Sequence, residues 1–219
     1  MLDIQLISTF VFLIFLALFL LTKRKGLVIQ KIIYPFLYIL MYRTKIGLKF
    51  MKKTAHKFGS ILKFIGLVSI CIGFVGMIMI SFLLVKTLVE LVTVPEAAPG
   101  VKLVLPLVTT KVSIGLPFFY WIISIFIIAV VHEFFHGVMA QTYKLKLKSS
   151  GFAFLSVIVP VVPLAFVEPD EDMLRKRPLV QQLSIFAAGP FANILVALLV
   201  LGIFYAVSYT HLRAHETRH

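Results

Sequence analysis

Residues 112–140 read VSIGLPFFYWIISIFIIAVVHEFFHGVMA, and this stretch decides the fold. Residues 112–131 carry no charged side chain, and about 20 apolar residues suffice to cross a bilayer. His132, Glu133 and His136 then follow directly, and the apolar character continues to Ala140. Ionisable groups at membrane depth normally face a cavity, a partner or an ion, because lipid does not solvate them. The stretch therefore predicts a membrane-spanning helix that carries a functional site.

Three further apolar runs, at residues 6–21, 64–85 and 179–207, are long enough to span a bilayer. The whole chain of 219 residues is 60% hydrophobic and only 14% charged, which excludes a soluble globular protein. Its net charge of +13 comes from bases that lie between the apolar runs, so we expect a bilayer surface and no nucleic acid as the partner. The fold class predicted is an all-α multi-pass membrane protein with about four transmembrane helices.

The distribution of basic residues predicts the orientation in the membrane. Residues 22–63 contain eleven Lys and Arg and no acid, which is typical of a cytosolic loop. With the N-terminus outside, seventeen bases lie inside and three outside, and the last two lie near the C-terminus. Asp3 stands where a signal peptide would be basic, so the first span is expected to be a retained anchor. We expect a multi-pass protein of the plasma membrane whose site opens towards the cytosol.

Two segments do not fit a simple set of spans. Residues 32–42 are apolar and aromatic but short, with Pro35 inside, and they are expected to lie along the membrane interface. Residues 151–167 are apolar, yet both ends belong to the predicted cytosolic side. Pro160 and Pro163 exclude a regular helix, and the Val, Ile and Phe content favours strands. A re-entrant segment, with a β-hairpin as one form of it, is the interpretation preferred over a monotopic surface loop.

The pattern His-Glu-x-x-His at residues 132–136 is the strongest indication of chemistry. On a helix, His132 and His136 lie one turn apart on the same face, where two imidazoles can bind one zinc ion. Glu133 can then act as general base on water. Because Cys71 is the only cysteine, a metal site here depends on His and carboxylate ligands. The competing interpretations are helix-bridging hydrogen bonds and a proton or metal relay in a transporter.

Three ordered blocks resemble the site-2 proteases, which are intramembrane zinc metalloproteases, and most closely the archaeal and bacterial members. They are HEFFHG at 132–137, the apolar stretch from Gly151 into Phe166, Val167, Glu168 and Pro169, and AGPFAN at 188–193. The likeness covers roughly residues 116–201, and Arg43, Thr44 and Gly47 add a looser one upstream. It implies Zn²⁺ as cofactor, His132 and His136 as ligands, Glu133 as catalytic base and a transmembrane protein as substrate.

The Gly-Pro-x-x-Asn block can also be interpreted without the family. Pro190 has no backbone N–H, so it should bend the helix or free a carbonyl near Phe186. Gly189 and the neighbouring alanines allow another helix to approach closely, and we expect this face to pack against the helix of residues 132–136. Asn193 should then point towards the site. It can bind substrate backbone, steady a metal ligand or bridge two helices.

The resemblance implies a third zinc ligand, an Asp followed by Gly, and the sequence contains no Asp-Gly. Asp170 and Asp172 lie in a charged turn that is expected to be solvated. The composition changes abruptly at residues 208–219, which we expect to be a non-native tail, so that the natural protein would continue past about residue 207. The predicted organisation is 1–63 as first span and basic loop, 64–207 as metalloprotease core, and 208–219 as that tail. The three tail residues His211, His215 and His219 are not expected to form a second metal site.

The function expected from these features is that of an intramembrane zinc metalloendopeptidase, which hydrolyses peptide bonds in transmembrane substrates. An HExxH protease with a soluble cytosolic domain fits less well, because residues 121–131 are apolar on all sides. The missing ligand keeps two alternatives open, namely a catalytically inactive protease-like membrane protein and a metal-binding transporter. The sequence specifies neither the substrate nor the oligomeric state.

Overall fold

A computed structural model describes residues 2–33, 36–94, 100–110, 113–157 and 159–216. Long helices alternate with short strands along the chain. The helices are α1 (Leu2–Lys23), α2 (Leu48–Thr93), α3 (Phe118–Thr142), α4 (Glu171–Arg175) and α5 (Leu179–Glu216). The strands are β1 (Leu27–Ile33), β2 (Leu37–Thr44), β3 (Leu103–Pro106), β4 (Ser113–Leu116), β5 (Leu147–Val157) and β6 (Val159–Pro169).

Four of the described helices are long and apolar enough to cross a membrane, which agrees with the four runs found in the sequence. They are Ile4–Lys23, Leu48–Thr93, Phe118–Thr142 and Leu179–Tyr209. The third begins at Phe118 and not at residue 112, because residues 113–116 pair with β3 and Pro117 has an extended backbone. The second is longer than predicted and includes the basic segment before residue 64.

The fold is mostly helical, as predicted, but it is not all-α, because four strands form an antiparallel sheet in the order β1-β2-β5-β6. Most described residues of 32–42, the segment expected along the interface, belong to β1 and β2, whereas Pro35 lies outside the described residues. β2 pairs with β5 from Leu37↔Val157 to Thr44↔Ser150. Pairing satisfies the backbone donors and acceptors of apolar segments, which water cannot reach in a membrane. Two distant hairpins therefore combine into one sheet.

The hairpin expected at residues 151–167 is present as β5 and β6. β6 is an edge strand of the described sheet, and Pro163 lies opposite Phe154. Edge strands tolerate proline, because one side of the strand needs no ladder donor. At Gly151 an added Cβ would collide with the backbone carbonyl of Tyr42 on β2, so glycine is required for the close approach of the two strands.

Helix α3 is the centre of the molecule and packs against α2, α5 and β6. The core includes Val138, Met139 and Ala140 of α3, each only 1% exposed. Small residues bring the long helices together, since a Cβ at Gly66 of α2 would lie 3.1 Å from the Cβ of Ser184 on α5. This packing places α5 and β6 on two sides of residues 132–136.

Candidate metal centre

Helix α3 brings His132, Glu133 and His136 together as the sequence spacing predicted. One potential ligand atom from each lies within 4.8 Å of the others. The two imidazole rings are 4.6 Å apart, centroid to centroid, and inclined at 78°. Two imidazoles one helical turn apart are a donor set that suits zinc. Packing against α5 and β6 then decides which atoms of the three groups face the site.

His136 is oriented by a backbone carbonyl of α5. Its Nδ1 lies 2.6 Å from the carbonyl oxygen of Ile185. A carbonyl only accepts hydrogen bonds, so Nδ1 carries the proton and the lone pair of Nε2 remains free. A second partner of this kind fixes the orientation of a metal-binding His. The sequence had predicted a freed carbonyl near Phe186, and the carbonyl in contact with His136 is that of the preceding residue.

His132 is contacted by the side chain of Asn193, also on α5. Asn193 Nδ2 lies 3.1 Å from His132 Nδ1, while the buried Oδ1 of Asn193 has no hydrogen-bond partner among the described residues. In this orientation Nδ2 donates, Nδ1 accepts, and the proton of neutral His132 lies on Nε2. If the side-chain amide of Asn193 is flipped to this turned orientation, so that its oxygen and nitrogen exchange places, Oδ1 accepts from Nδ1–H of His132 and Nε2 becomes free. A metal bound through Nε2 requires the turned orientation, because the proton of neutral His132 then lies on Nδ1 and needs an acceptor.

Gly189 of α5 lies directly against both imidazoles. A Cβ at this position would lie 2.7 Å from His132 Nε2 and in still closer contact with His136 Nε2, so any side chain here would displace both rings. Both Nε2 atoms therefore lie beside the same residue of α5. Two imidazoles and a carboxylate whose potential ligand atoms lie within 4.8 Å of one another are a donor set that suits zinc. The residues present therefore fit a zinc ion in donor type.

Glu133 is held by the edge strand of the sheet. The backbone N–H of Val167 on β6 donates to Glu133 Oε2 at 3.1 Å, which leaves Oε1 to accept a proton. Val167 pairs with Ser150, whose carbonyl faces β2 and accepts from the hydroxyl of Thr44 at 3.0 Å. The N–H of Val167 can therefore point away from β5 and towards the site. Sequence reasoning had no means of finding this contact, although it had singled out the Phe-Val-Glu-Pro stretch.

Cavities lie on two sides of Glu133. One of about 220 Å³ is also lined by His136, Ile185 and Phe186, and another of about 160 Å³ by Phe134 and the strands β5 and β6. The first shares four lining residues with a cavity of about 380 Å³ that reaches charged side chains; the shared residues are Val167, Pro169, Leu174 and Phe186. A carboxylate between two cavities is accessible to both water and a second reactant.

The acidic turn, Pro190 and the C-terminal histidines were also considered in the sequence. Asp170 caps α4 by accepting from the N–H of Met173 at 3.2 Å, and neither Asp170 nor Asp172 joins the His132 group among the described residues. Pro190 lies inside α5, between Gly189 and Asn193. His219 lies outside the described residues, as do the side chains of His211 and His215. Helix α5 continues without a break past residue 207 to Glu216.

Four apolar helices, one of which carries a half-buried His-Glu-x-x-His group, are typical of the membrane metallopeptidase class. Comparison with known families makes the assignment specific. Residues 120–217 match the model of Peptidase family M50, the family of the site-2 proteases. The resemblance noted in the sequence is thereby confirmed. This match and the apolar helices together indicate a membrane protein.

The chain is also similar to an uncharacterized protein, MJ0971, of Methanocaldococcus jannaschii. The two are 31% identical over 161 residues, which cover 71% of this chain and 40% of the relative. The chain therefore spans less than half the length of that relative. No solved structure matches the chain significantly.

Proposed function

We propose that this chain forms the catalytic centre of an intramembrane zinc metalloendopeptidase, which hydrolyses peptide bonds in transmembrane protein substrates. The observation that carries the proposal is that His132, Glu133 and His136 hold potential ligand atoms within 4.8 Å of one another, with both His Nε2 atoms beside Gly189. The match to the model of family M50 supports a metalloprotease and hence this chemistry. His132 and His136 would hold the zinc ion, and Glu133 would serve as the base.

The reaction follows from the positions of these side chains. Zinc, when bound, supplies a Lewis acid that makes water more acidic and polarises the scissile carbonyl. Glu133 Oε1 takes a proton from the attacking water as the new C–O bond forms at the carbonyl carbon. Glu133 then passes this proton to the departing amine nitrogen as the C–N bond breaks. The Val167 N–H holds the other carboxylate oxygen, so Oε1 keeps its direction during both transfers.

The sheet offers a place for an extended substrate segment. A transmembrane helix must be unwound before its peptide bonds can be attacked, and an exposed strand edge can bind the unwound segment by backbone hydrogen bonds. β6 is an edge strand of the described sheet and lies next to Glu133. By alternation from Val167, the N–H of Ala165 faces the same side, whereas Pro163 and Pro169 have no N–H to offer. The usable edge would thus be short and would fix the substrate register.

Water would reach Glu133 through the cavity of about 220 Å³ beside it and the cavity of about 380 Å³ that shares four lining residues with the first. These lead from Glu133 and His136 to Glu171 and Arg175 on the charged turn that follows β6. The positive-inside distribution places this turn on the cytosolic side, with the N-terminus outside. The active site would accordingly open towards the cytosol. We place the protein in the plasma membrane as a multi-pass protein, with residues 64–207 as its protease core.

One observation favours a second candidate, an inactive relative that binds transmembrane partners without cutting them. The third zinc ligand implied by the family, an Asp followed by Gly, has no counterpart in this sequence. Among the described residues, the metal-binding group consists of His132, Glu133 and His136 alone. With two imidazoles as its only dedicated ligands, a site would hold zinc weakly, because structural and catalytic zinc sites use at least three protein ligands.

The experiment that tests the proposal compares zinc content and peptide cleavage in the same preparations. The full-length protein is purified in detergent, its zinc is measured by atomic emission, and a labelled model transmembrane peptide is offered as substrate. Glu133→Gln should keep the zinc and lower the cleavage rate by about a hundredfold or more. Glu171→Gln is the matched control, since Glu171 lies on the exposed turn and pairs with Arg175 at 3.7 Å.

Each outcome of this comparison decides between the candidates. Loss of cleavage in Glu133→Gln with retained zinc and a normal Glu171→Gln control supports the proposed mechanism. Cleavage by Glu133→Gln at the wild-type rate excludes Glu133 as the base. A wild-type protein that contains zinc and cuts no membrane peptide favours the inactive relative.

A further inference from the structure

Helix α2 changes direction near its start. Phe58 has a non-helical backbone inside the helix, with φ −116° and ψ 20°. Met51 packs on Gly137 of α3, and Gly66 packs on Met139 of α3. Residues 51 and 66 would be about 22 Å apart along a straight helix, whereas residues 137 and 139 are separated by about 3 Å along α3. The first turns of α2 therefore cross the end of α3 instead of continuing along its axis.

The bend creates a groove between α2 and the end of α3, with a volume of about 710 Å³. We call it the basic groove. Its chemistry is set by six side chains: Lys49, Lys52, His56, Lys63, Lys144 and Lys146. The five lysines are exposed, and no Asp or Glu occurs among the described residues that line the groove. None of the five forms an ion pair with a described carboxylate. The groove therefore concentrates positive charge without internal compensation.

The position of the groove relates it to the membrane surface. Lys63 is the last residue before the uncharged run of residues 64–85, so one end of the groove lies where the hydrocarbon begins. The bend of α2 keeps the other end near the level of Gly137. Exposed apolar side chains lie beside the lysines on the same segment, with Ile46 67% and Phe50 63% exposed. Cations next to exposed apolar side chains are typical of a segment that lies in the membrane interface.

We propose that the basic groove binds the phosphate-bearing headgroup of an anionic phospholipid. Basic pockets between transmembrane helices on the cytosolic side suit such headgroups. The lysines would contact the phosphate, while the acyl chains lie along the neighbouring apolar residues. A free phosphate ion would satisfy the charges alone and would leave the apolar side chains without a partner. The proposal needs a membrane protein but no proteolysis, so it stands or falls separately from the proposed function.

The test titrates the purified full-length protein, held in a neutral detergent, with short-chain phosphatidylglycerol. Bound lipid is counted by native mass spectrometry. The variant Lys52→Gln/Lys63→Gln/Lys144→Gln removes three charges from the groove. A matched control, Lys53→Gln/Lys57→Gln/Lys148→Gln, removes three exposed lysines that do not line the groove, two from α2 and one from β5. Both sets lie on the surface, so both variants should fold.

The groove variant should bind phosphatidylglycerol about a hundredfold more weakly, since each Lys at an anionic surface contributes about 1 kcal/mol. The affinity of the control variant for phosphatidylglycerol should change by less than about threefold. Phosphatidylcholine of equal chain length should bind the wild-type protein no more tightly than phosphatidylglycerol binds the groove variant. Equal losses in the two triple variants would overturn the proposal, because general surface charge would then explain binding. Competition by inorganic phosphate as effective as that by phosphatidylglycerol would assign the groove to a small anion and exclude the lipid.

Discussion

The carboxamide of Asn193 lies 3.1 Å from Nδ1 of His132, across an interval of 61 residues in the chain. Its nitrogen and its oxygen have opposite consequences for the protonation of the imidazole. A donated Nδ2–H places the His132 proton on Nε2, whereas an accepting Oδ1 places it on Nδ1 and frees Nε2. Because a metal on Nε2 leaves the proton on Nδ1, metal binding is expected to select the accepting orientation. We therefore propose Asn193 as a positioning residue for His132.

Substitution of Asn193 separates this role from simple helix bridging. Asn193→Ala should lower zinc affinity by about 10- to 100-fold, as loss of a partner to a metal-bound His generally does. Asn193→Asp should stay close to wild type, because a carboxylate accepts from Nδ1–H as Oδ1 does. Zinc affinity is measured by competition with a chromophoric chelator. Equal losses of zinc affinity in Asn193→Ala and Asn193→Asp would show that Asn193 only bridges the two helices.

Gly189→Ala places a methyl group against the two imidazoles. The new Cβ would lie 2.7 Å from His132 Nε2 and would displace the rings, so we expect loss of zinc binding by at least tenfold and a lower melting temperature. Gly202→Ala on the same helix meets nothing within 4 Å and is the control. It should be neutral or stabilise by up to about 1 kcal/mol, because alanine favours a helix over glycine. Zinc bound normally by Gly189→Ala would show that zinc binding does not depend on this contact between α5 and the imidazoles.

The two histidines should contribute together to zinc binding. His132→Ala and His136→Ala are each expected to abolish stoichiometric zinc, since each removes one of two imidazole ligands. His56→Ala, on the exposed surface of α2, should leave the zinc content unchanged. Zinc is measured by atomic emission after dialysis against a weak chelator. Retention of stoichiometric zinc by either ligand variant would exclude that histidine as a ligand.

Gly151→Ala tests the joining of the two hairpins. A Cβ at Gly151 would collide with the Tyr42 carbonyl, so β2 and β5 would have to separate. The expected cost is about 1–3 kcal/mol, seen as a lower melting temperature in detergent. At Gly59 on α2 a Cβ meets nothing within 4 Å, and Gly59→Ala should not destabilise the protein. An unchanged melting temperature for Gly151→Ala would mean that β2 and β5 are not paired at this point.

Local patterns explain why much of this protein can be predicted from its sequence. The four apolar helices follow from uninterrupted hydrophobic runs, and the His132 and His136 pair follows from a spacing of four on a helix. The hairpin of β5 and β6 follows from prolines and β-branched residues within an apolar stretch. Each of these signals is contained within about 30 residues.

The errors arose where distant segments meet. Nothing in residues 27–44 alone shows that β2 will pair with β5, more than 100 residues later, and an all-α fold was expected for that reason. The start of α3 was also misplaced, because the pairing of β4 with β3 ends the apolar run of residues 112–117 as a strand. Hydropathy indicates that a short apolar run is buried, but it does not distinguish a strand from a helix.

The class of protein, the four apolar helices and the three residues of the His-Glu-x-x-His motif can be identified from the sequence, since hydropathy and helical periodicity are properties of contiguous chain. The orientation of these residues depends on tertiary packing. The Ile185 carbonyl faces His136, the Asn193 amide faces His132, and the Val167 N–H faces Glu133. Tertiary packing also gathers lysines of α2 and of the end of α3 around one groove. These relationships depend on how α5, β6 and the bent α2 pack against α3, and packing is set by contacts between segments remote in sequence.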